Sequence, residues 1–113
     1  MNIGCVKEIK KLEFRVGLTP GSVNEYVKHG HKVYIETNAG LNSGFPDEEY
    51  VRAGAKVIPT AKEVWEKSDM IVKVKEPLKE EYQYFREGLI LYTYLHLAAD
   101  QALTEALLAK KVK

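Results

Sequence analysis

Three residues of this 113-residue chain have the types that can hold and convert a small carboxylate: Arg15, Lys75 and His96. The guanidinium group of an arginine can bind a carboxylate through two parallel hydrogen bonds, and a lysine ammonium adds a compact positive charge. A histidine beside them could accept and donate protons near neutral pH. Together these types predict a site for a small anionic substrate that undergoes proton transfer.

Each of these residues also has an ordinary structural interpretation. Arg15 follows Glu13 in a charged segment, where an arginine is commonly a surface residue. Lys73 and Lys75 alternate at the end of an apolar run, where lysines are usually solvated. His96 lies within an apolar stretch and could be a hydrogen-bonded core residue. The functional interpretation therefore depends on whether the fold brings the three together.

The elements that would position them are short β-rich runs that alternate with amphipathic helical stretches. The runs expected as strands are residues 3–6, 32–36, 56–58, 70–74 and 89–95. The last run is almost continuously apolar, which is typical of a strand that is buried on both faces. Its burial and the alternation with helices both favour a mostly parallel sheet.

Helix starts are marked by their capping residues. Thr19 and Pro20 predict a helix with threonine as N-cap and proline at the first helical position. Thr60 and Glu63 have the spacing of a capping box. Further helices are expected after Pro46, around residues 80–86, and after Asp100, where a leucine stripe follows at positions 103, 107 and 108.

The pattern predicts an α/β sandwich, a mostly parallel sheet flanked by helices. In such folds the carboxyl ends of the strands share one edge, and ligands bind there. Arg15 follows the first expected strand, Lys75 the fourth and His96 the fifth. With the first strand beside the fourth, all three would face one crevice.

Composition excludes several classes of function. Lys and Arg number 17 against 16 for Asp and Glu, a net charge of +1, which argues against nucleic acid or an anionic membrane as a partner. No apolar stretch reaches the ~20 residues that span a bilayer.

Cys5 is the only cysteine and is expected to be an inert buried thiol. His29 and His31 are expected at the surface, so no metal site is predicted. A single domain in the cytoplasm is expected.

Several blocks of the sequence, in the same order, resemble the N-terminal segment of bacterial alanine dehydrogenases. They are IGCVKEIK at 3–10, EFRVGLTP at 13–20, AGLNSGF at 39–45, VKVKEP at 72–77 and EGLILYTYLHLA at 87–98. The resemblance extends over essentially the whole chain. The α subunit of proton-translocating nicotinamide nucleotide transhydrogenase shares the domain but lacks equivalents of Lys75 and His96. Alanine dehydrogenase is therefore favoured within the alanine dehydrogenase/pyridine nucleotide transhydrogenase family.

This resemblance implies a Rossmann-like (flavodoxin-like) fold and NAD-dependent interconversion of L-alanine with pyruvate and ammonia. It implies that Arg15 and Lys75 bind the substrate, that His96 is the catalytic acid and base, and that the full-length enzyme is a homohexamer. Residues 1–113 would be its incomplete N-terminal substrate domain. No G-x-G-x-x-G occurs in the sequence, so no cofactor-binding residue is assigned and the NAD-binding domain is expected outside this chain. The chain alone is expected to be inactive.

Two alternatives stay open at this point. A transhydrogenase-type domain would bind a nicotinamide nucleotide but no amino acid. A carboxylate-binding or interaction module would use the same fold without chemistry.

Overall fold

The computed structural model describes residues 1–9, 13–75 and 77–93, together with Leu108. The described strands are β1 (Asn2–Cys5), β2 (Lys32–Glu36), β3 (Lys56–Ile58), β4 (Met70–Val72) and β5 (Ile90–Tyr92). Neighbouring strands pair in parallel in the order β3-β2-β1-β4-β5. This confirms the α/β prediction and the placement of the first strand beside the fourth. The order is the Rossmann one and not the 2-1-3-4-5 order of flavodoxin.

Three α-helices and two 3₁₀ segments connect the strands. The helices are α1 (Pro20–Lys28), α2 (Asp47–Arg52) and α3 (Ala61–Lys67), and the 3₁₀ segments are Leu41–Ser43 and Lys79–Tyr84. The hydroxyl of Thr19 accepts the N–H of Ser22 at 3.2 Å, and that of Thr60 accepts the N–H of Glu63 at 3.3 Å. Both helix starts that the capping residues predicted are therefore confirmed. Each threonine hydroxyl pairs with an N–H group that the helix itself would leave unpaired.

The two faces of the sheet carry separate apolar clusters, as the period of a β-strand requires. Ile3 and Cys5 pack with Val23 of α1 and Tyr50 of α2 on one face. The cluster on the other face consists of Val6, Ile58, Val64, Trp65, Ile71, Phe85 and Leu89. Helices therefore cover both faces of the sheet, and the ends of the strands are the part of the sheet that they leave uncovered.

The close packing of α3 on the sheet depends on the glycine in β1. A Cβ atom at Gly4 would lie 2.8 Å from Cγ1 of Val64 and would overlap the hydroxyl of Ser68. Ser68 is buried and donates that hydroxyl to the carbonyl of Val64 at 2.6 Å. The missing side chain at position 4 thus sets the distance between α3 and the central strand.

Two strands are shorter than the sequence suggests. β4 ends at Val72 instead of residue 74, because the N–H of Val74 turns to the carboxylate of Glu8 at 2.9 Å instead of a neighbouring strand. β5 ends at Tyr92, which is 69% exposed, so the expectation of burial on both faces is wrong at this residue. The physical reason is that β5 is the last strand in the described sheet order. Residues 94–95 and the expected helix after Asp100 lie outside the described residues, apart from Leu108.

A buried tyrosine anchors the segment that carries Arg15. The hydroxyl of Tyr50 donates to the carbonyl of Leu18 at 2.8 Å, and both residues lie in the core. Burial raises the pKa of Tyr50, so the hydroxyl remains a donor across the ordinary pH range. This hydrogen bond links α2 to the end of the connection between β1 and α1.

Replacement of Tyr50 by phenylalanine tests this link. Tyr50→Phe leaves the carbonyl of Leu18 without its donor in a buried place, so we expect the free energy of unfolding to fall by about 1 kcal/mol. Urea unfolding followed by circular dichroism measures the change. The control is Tyr92→Phe at an exposed position, which should leave stability nearly unchanged. Equal stability of Tyr50→Phe and the parent chain would show that the link contributes nothing.

Candidate functional site

An open crevice of about 440 Å³ lies at the carboxyl edge of the sheet. Arg15 and Gly17 line it from the connection after β1, and Val72 and Tyr92 line it from the ends of β4 and β5. This is the edge at which open parallel sheets bind ligands. Lys73 and Val74 also contribute to the wall, so the crevice lies directly where β4 leaves the sheet.

The connection after β1 is held close to β4. A Cβ atom at Gly17 would lie 2.5 Å from the carbonyl oxygen of Val72, so only glycine allows this approach. Earlier in the same connection, the carbonyl of Phe14 accepts the hydroxyl of Ser43, which belongs to the 3₁₀ segment between β2 and α2, at 2.6 Å. These two contacts fix the backbone on both sides of Arg15 against the crevice.

The guanidinium of Arg15 is oriented by Glu13. Nε and Nη2 each donate to a different oxygen of the Glu13 carboxylate, both at 3.0 Å, and the backbone N–H of Arg15 donates to the same carboxylate at 2.9 Å. The Arg15 side chain remains 67% exposed. An internal carboxylate therefore occupies one edge of the guanidinium, and the sequence analysis missed this role of Glu13.

Lys75 lies on the same side of the molecule as the Arg15–Glu13 pair. The hydrogen bonds from Arg15 lower the pKa of Glu13 to about 2, and the positive charges of Arg15 and Lys75 act in the same direction. The structure therefore brings two of the three expected site residues, Arg15 and Lys75, to one edge of the sheet. His96 lies outside the described residues.

The backbone of Lys75 is bound by side chains from two other segments. Its N–H donates to Oε1 of Glu8 at 3.2 Å, and its carbonyl accepts the hydroxyl of Thr93 at 3.0 Å. The N–H of Val74 donates to Oε2 of the same glutamate at 2.9 Å. The turn that carries Lys75 thus depends on Glu8 and Thr93.

Lys73 is buried and not solvated, contrary to the ordinary expectation for a lysine at a strand end. Its ammonium lies 3.3 Å from a carboxylate oxygen of Glu8 and 3.3 Å from one of Glu81. Its side chain is only 1% exposed, and such burial of a charge requires paired partners. The sequence offered no signal for this cluster, because 65 positions separate Glu8 from Lys73.

Burial and charge act against each other at Glu81. Desolvation raises the pKa of this carboxyl, and the ammonium of Lys73 opposes that rise. The N–H of Leu78 donates to the other oxygen of Glu81 at 3.0 Å and closes the first turn of the 3₁₀ segment. The cluster therefore joins the 3₁₀ segment to the end of β4.

The remaining titratable groups of interest behave as structural residues. Cys5 is fully buried, and this burial raises the pKa of its thiol to about 12, which confirms an inert thiol. His29 is exposed and its Nδ1 lies 2.8 Å from the carbonyl oxygen of Glu25, while Nδ1 of His31 lies 3.0 Å from the N-terminal nitrogen. Across residues 1–9, 13–75 and 77–93, no group of three potential ligands that could hold a metal was found.

Comparison with a family model decides the assignment. The model described as alanine dehydrogenase/PNT, N-terminal domain, matches residues 4–113. The chain belongs to this family. Within the described part of this family member, no helix is long and apolar enough to cross a membrane.

Relatives named alanine dehydrogenase are similar to the chain over nearly all of it. The one from Methanococcus maripaludis is 59% identical over 112 residues, which are 99% of this chain and 30% of the relative. The one from Bacillus subtilis is 56% identical over 112 residues, 99% of this chain and 29% of the relative. The chain thus spans about 30% of the length of these curated relatives.

Two solved structures are similar to the chain, and the one named alanine dehydrogenase is the more similar of the two. An L-alanine dehydrogenase superposes with a TM-score of 0.96 at 54% identity, over 99% of this chain and 31% of that one. A transhydrogenase from Sinorhizobium meliloti superposes with a TM-score of 0.91 at 28% identity, over 99% of this chain and 32% of that one. The fold is shared by both, whereas the sequence is much nearer to the alanine dehydrogenases.

The Arg15–Glu13 pair predicts an acid titration. Since Arg15 lowers the pKa of Glu13 from 4.5 to about 2, the pair contributes fully to stability above about pH 4.5 and loses this contribution as the pH falls toward 2. An NMR titration of the Glu13 carboxyl carbon should have its midpoint at about 2, and in Arg15→Gln the midpoint should rise toward 4.5.

The matched control is Arg52→Gln on the exposed side of α2, which should leave the midpoint of Glu13 unchanged. A midpoint near 4.5 in both the parent chain and Arg15→Gln would contradict the ion pair.

Proposed function

We propose that the chain is the substrate-binding part of an NAD-dependent alanine dehydrogenase, which interconverts L-alanine with pyruvate and ammonia. The observation that carries the proposal is the identity of 54–59% to alanine dehydrogenases, in a chain that places Arg15 at the crevice and Lys75 after β4 on the same sheet edge. The near-neutral charge of +1 supports a small-molecule substrate over a nucleic acid.

In this proposal Arg15 binds the substrate carboxylate. The geometry supports it because the Arg15 side chain lines the crevice, is 67% exposed and already binds one carboxylate, that of Glu13, through Nε and Nη2. Lys75 places a second cation near the same carboxylate and the oxo oxygen of pyruvate, where it stabilises developing negative charge. Two cations at one edge favour a substrate that is anionic at one end.

His96 is proposed as the acid and base. In deamination water adds to the imine formed from alanine, and His96 would take a proton from that water and later return one to the departing ammonia. The neighbouring cations Arg15 and Lys75 would disfavour the imidazolium and keep a neutral base available.

In this proposal the hydride acceptor is NAD, and no dinucleotide-binding glycine motif for it is found in the sequence. The connection after β1 lacks a glycine-rich turn, and no G-x-G-x-x-G occurs elsewhere in the sequence. We therefore assign no NAD contact to this chain and place the cofactor on the remainder of the enzyme. By the same family resemblance we propose a cytoplasmic homo-oligomer, which is a hexamer when full length. Light scattering would measure the mass of this oligomer in solution.

The direct test uses a chimeric protein, here called the completed enzyme, in which this chain replaces the matched segment of the Bacillus subtilis alanine dehydrogenase. The alanine-dependent formation of NADH by this protein is measured. We expect turnover with L-alanine and, in reverse, with pyruvate and ammonia. Binding of a nicotinamide nucleotide by the 113-residue chain, with no alanine-dependent turnover in the completed enzyme, would favour a transhydrogenase-type domain instead. Carboxylate binding without nucleotide binding or turnover would favour a non-catalytic module.

Removal of the proposed acid and base gives the sharpest kinetic prediction. His96→Ala in the completed enzyme should lower kcat by about 10²–10⁴-fold, because general acid–base catalysis contributes that much. The pH profile of deamination should lose its limb near neutrality, where a histidine ordinarily titrates at about 6.5. His29→Ala is the matched control at an exposed histidine and should change neither quantity. Near-normal kcat and an unchanged profile in His96→Ala would reduce His96 to a structural residue.

The two cations should differ in their kinetic effects. Arg15→Lys keeps the charge but loses the planar fork, so KM for alanine should rise while kcat partly survives. Lys75→Ala removes a cation next to the reacting oxygen, so kcat and affinity should fall together. Steady-state kinetics with saturating NAD separate the two. Arg52→Lys, at an exposed position on α2, is the control and should behave like the parent enzyme. An unchanged KM in Arg15→Lys would remove Arg15 from the substrate site.

A further inference from the structure

We infer that Glu8 and Thr93 are positioning residues for Lys75, and that they act on the reaction by holding the backbone of this lysine at the carboxyl edge of the sheet. The inference rests on the proposed function, since it assigns how a substrate-binding residue of that function is held. Neither Glu8 nor Thr93 is among the proposed substrate contacts. The side chain of each forms a hydrogen bond with the main chain of Lys75.

The need for such residues follows from where the sheet ends. Among the described residues of β4, β5 and the positions that follow them, the last ladder bond runs from the N–H of Lys73 to the carbonyl of Tyr92 at 3.0 Å. Beyond Lys73 the chain bends away from the sheet, so the ladder no longer fixes the backbone. Lys75 therefore lies two residues past the last sheet contact that defines its direction.

On the N–H side of Lys75, hydrogen bonds to Glu8 take the place of the bonds that the sheet would otherwise provide. Its two carboxylate oxygens accept the N–H groups of Val74 and Lys75, at 2.9 Å and 3.2 Å. Hydrogen bonds to a carboxylate are about twice as strong as neutral ones, and two successive amides bound to one group define the direction of the turn. Glu8 is 7% exposed, so little water competes for these bonds.

Thr93 replaces the ladder on the carbonyl side. Its hydroxyl donates to the carbonyl of Lys75 at 3.0 Å, from the position directly after β5. The peptide groups on both sides of the Lys75 Cα are thus fixed from opposite segments. This determines where the lysine side chain begins, and a displacement of about 1 Å in such a residue can cost about 10²-fold in rate.

Lys73 holds Glu8 in place and also binds Glu81. The ammonium of Lys73 lies 3.3 Å from a carboxylate oxygen of each glutamate. Glu81 has the same charge and the same distance to Lys73 as Glu8, but its backbone bond goes to Leu78 and not to Lys75. Glu81 is therefore a matched comparison that separates positioning of Lys75 from stability of the buried cluster.

The first experiment uses the threonine in the completed enzyme, because a change at position 93 keeps the buried cluster intact. Thr93→Val preserves shape and removes the hydroxyl, so kcat/KM for alanine should fall about two- to tenfold, as expected for one neutral hydrogen bond. Thr93→Ser restores the donor and should restore kcat/KM. Thr60→Val removes a helix cap instead and should lower the melting temperature without changing kcat/KM. Parent-like kinetics in Thr93→Val would overturn the inference.

The second experiment compares the two glutamates. Glu8→Gln should lower kcat/KM at least about tenfold, since one of the two acceptor oxygens becomes an NH2 group that cannot accept an N–H. Glu81→Gln should change the melting temperature but leave kcat/KM near the parent value. Equal kinetic losses in the two variants would mean that Glu8 serves only the stability of the cluster, and would overturn the inference.

A double-mutant cycle shows whether Glu8 acts through Lys75. If it does, Glu8→Gln should weaken pyruvate binding in the parent enzyme but add no further loss to Lys75→Ala. Additive losses would overturn the inference. In the 113-residue chain, the amide proton resonances of Val74 and Lys75 should move upfield in Glu8→Gln, and their failure to move would also overturn it. An inactive parent enzyme would instead overturn the proposed function, so the two failures are distinguishable.

Discussion

A single buried ammonium group joins the segment after β1 to the end of β4 and to the 3₁₀ segment that follows. Lys73 binds Glu8 after β1 and Glu81 in the 3₁₀ segment, both at 3.3 Å. Removal of the Lys73 ammonium would leave two buried carboxyl groups without their counter-charge, and breaking a buried ion pair in this way typically costs about 3–5 kcal/mol. The turn after β4 follows from this cluster, because Glu8 is held in place by Lys73 and in turn binds the N–H groups of Val74 and Lys75. The geometry of the sheet edge thus depends on electrostatics inside the protein as well as on the strand ladder.

Two glycines bring the parts of the molecule close enough for this arrangement. Gly4 allows α3 to pack on β1, and Gly17 allows the connection after β1 to lie against the carbonyl of Val72. A side chain at either position would separate layers that are now in contact. The crevice is therefore shaped by backbone approach, while Arg15 contributes a positive charge to its lining.

Glu13 gives Arg15 a defined orientation before any substrate is present. The carboxylate of Glu13 meets Nε and Nη2 in the way that a substrate carboxylate would meet a guanidinium fork. The orientation of Arg15 is therefore set by a carboxylate of the chain itself. The chain that carries this arrangement belongs to the alanine dehydrogenase/PNT family and is 54–59% identical to alanine dehydrogenases.

The sequence by itself determined the alternation of elements, the helix starts at Thr19 and Thr60, and the family, because capping and periodicity are local and the matched blocks are specific. It also predicted that Arg15 and Lys75 share one edge, since parallel strands end on the same side. Only the tertiary structure decided the burial of Lys73 and the pairing of Arg15 with Glu13. Local patterns cannot show which face of a strand end is covered, and no spacing rule connects Glu8 with Lys73 across 65 positions. Those contacts form only when separate segments are packed together.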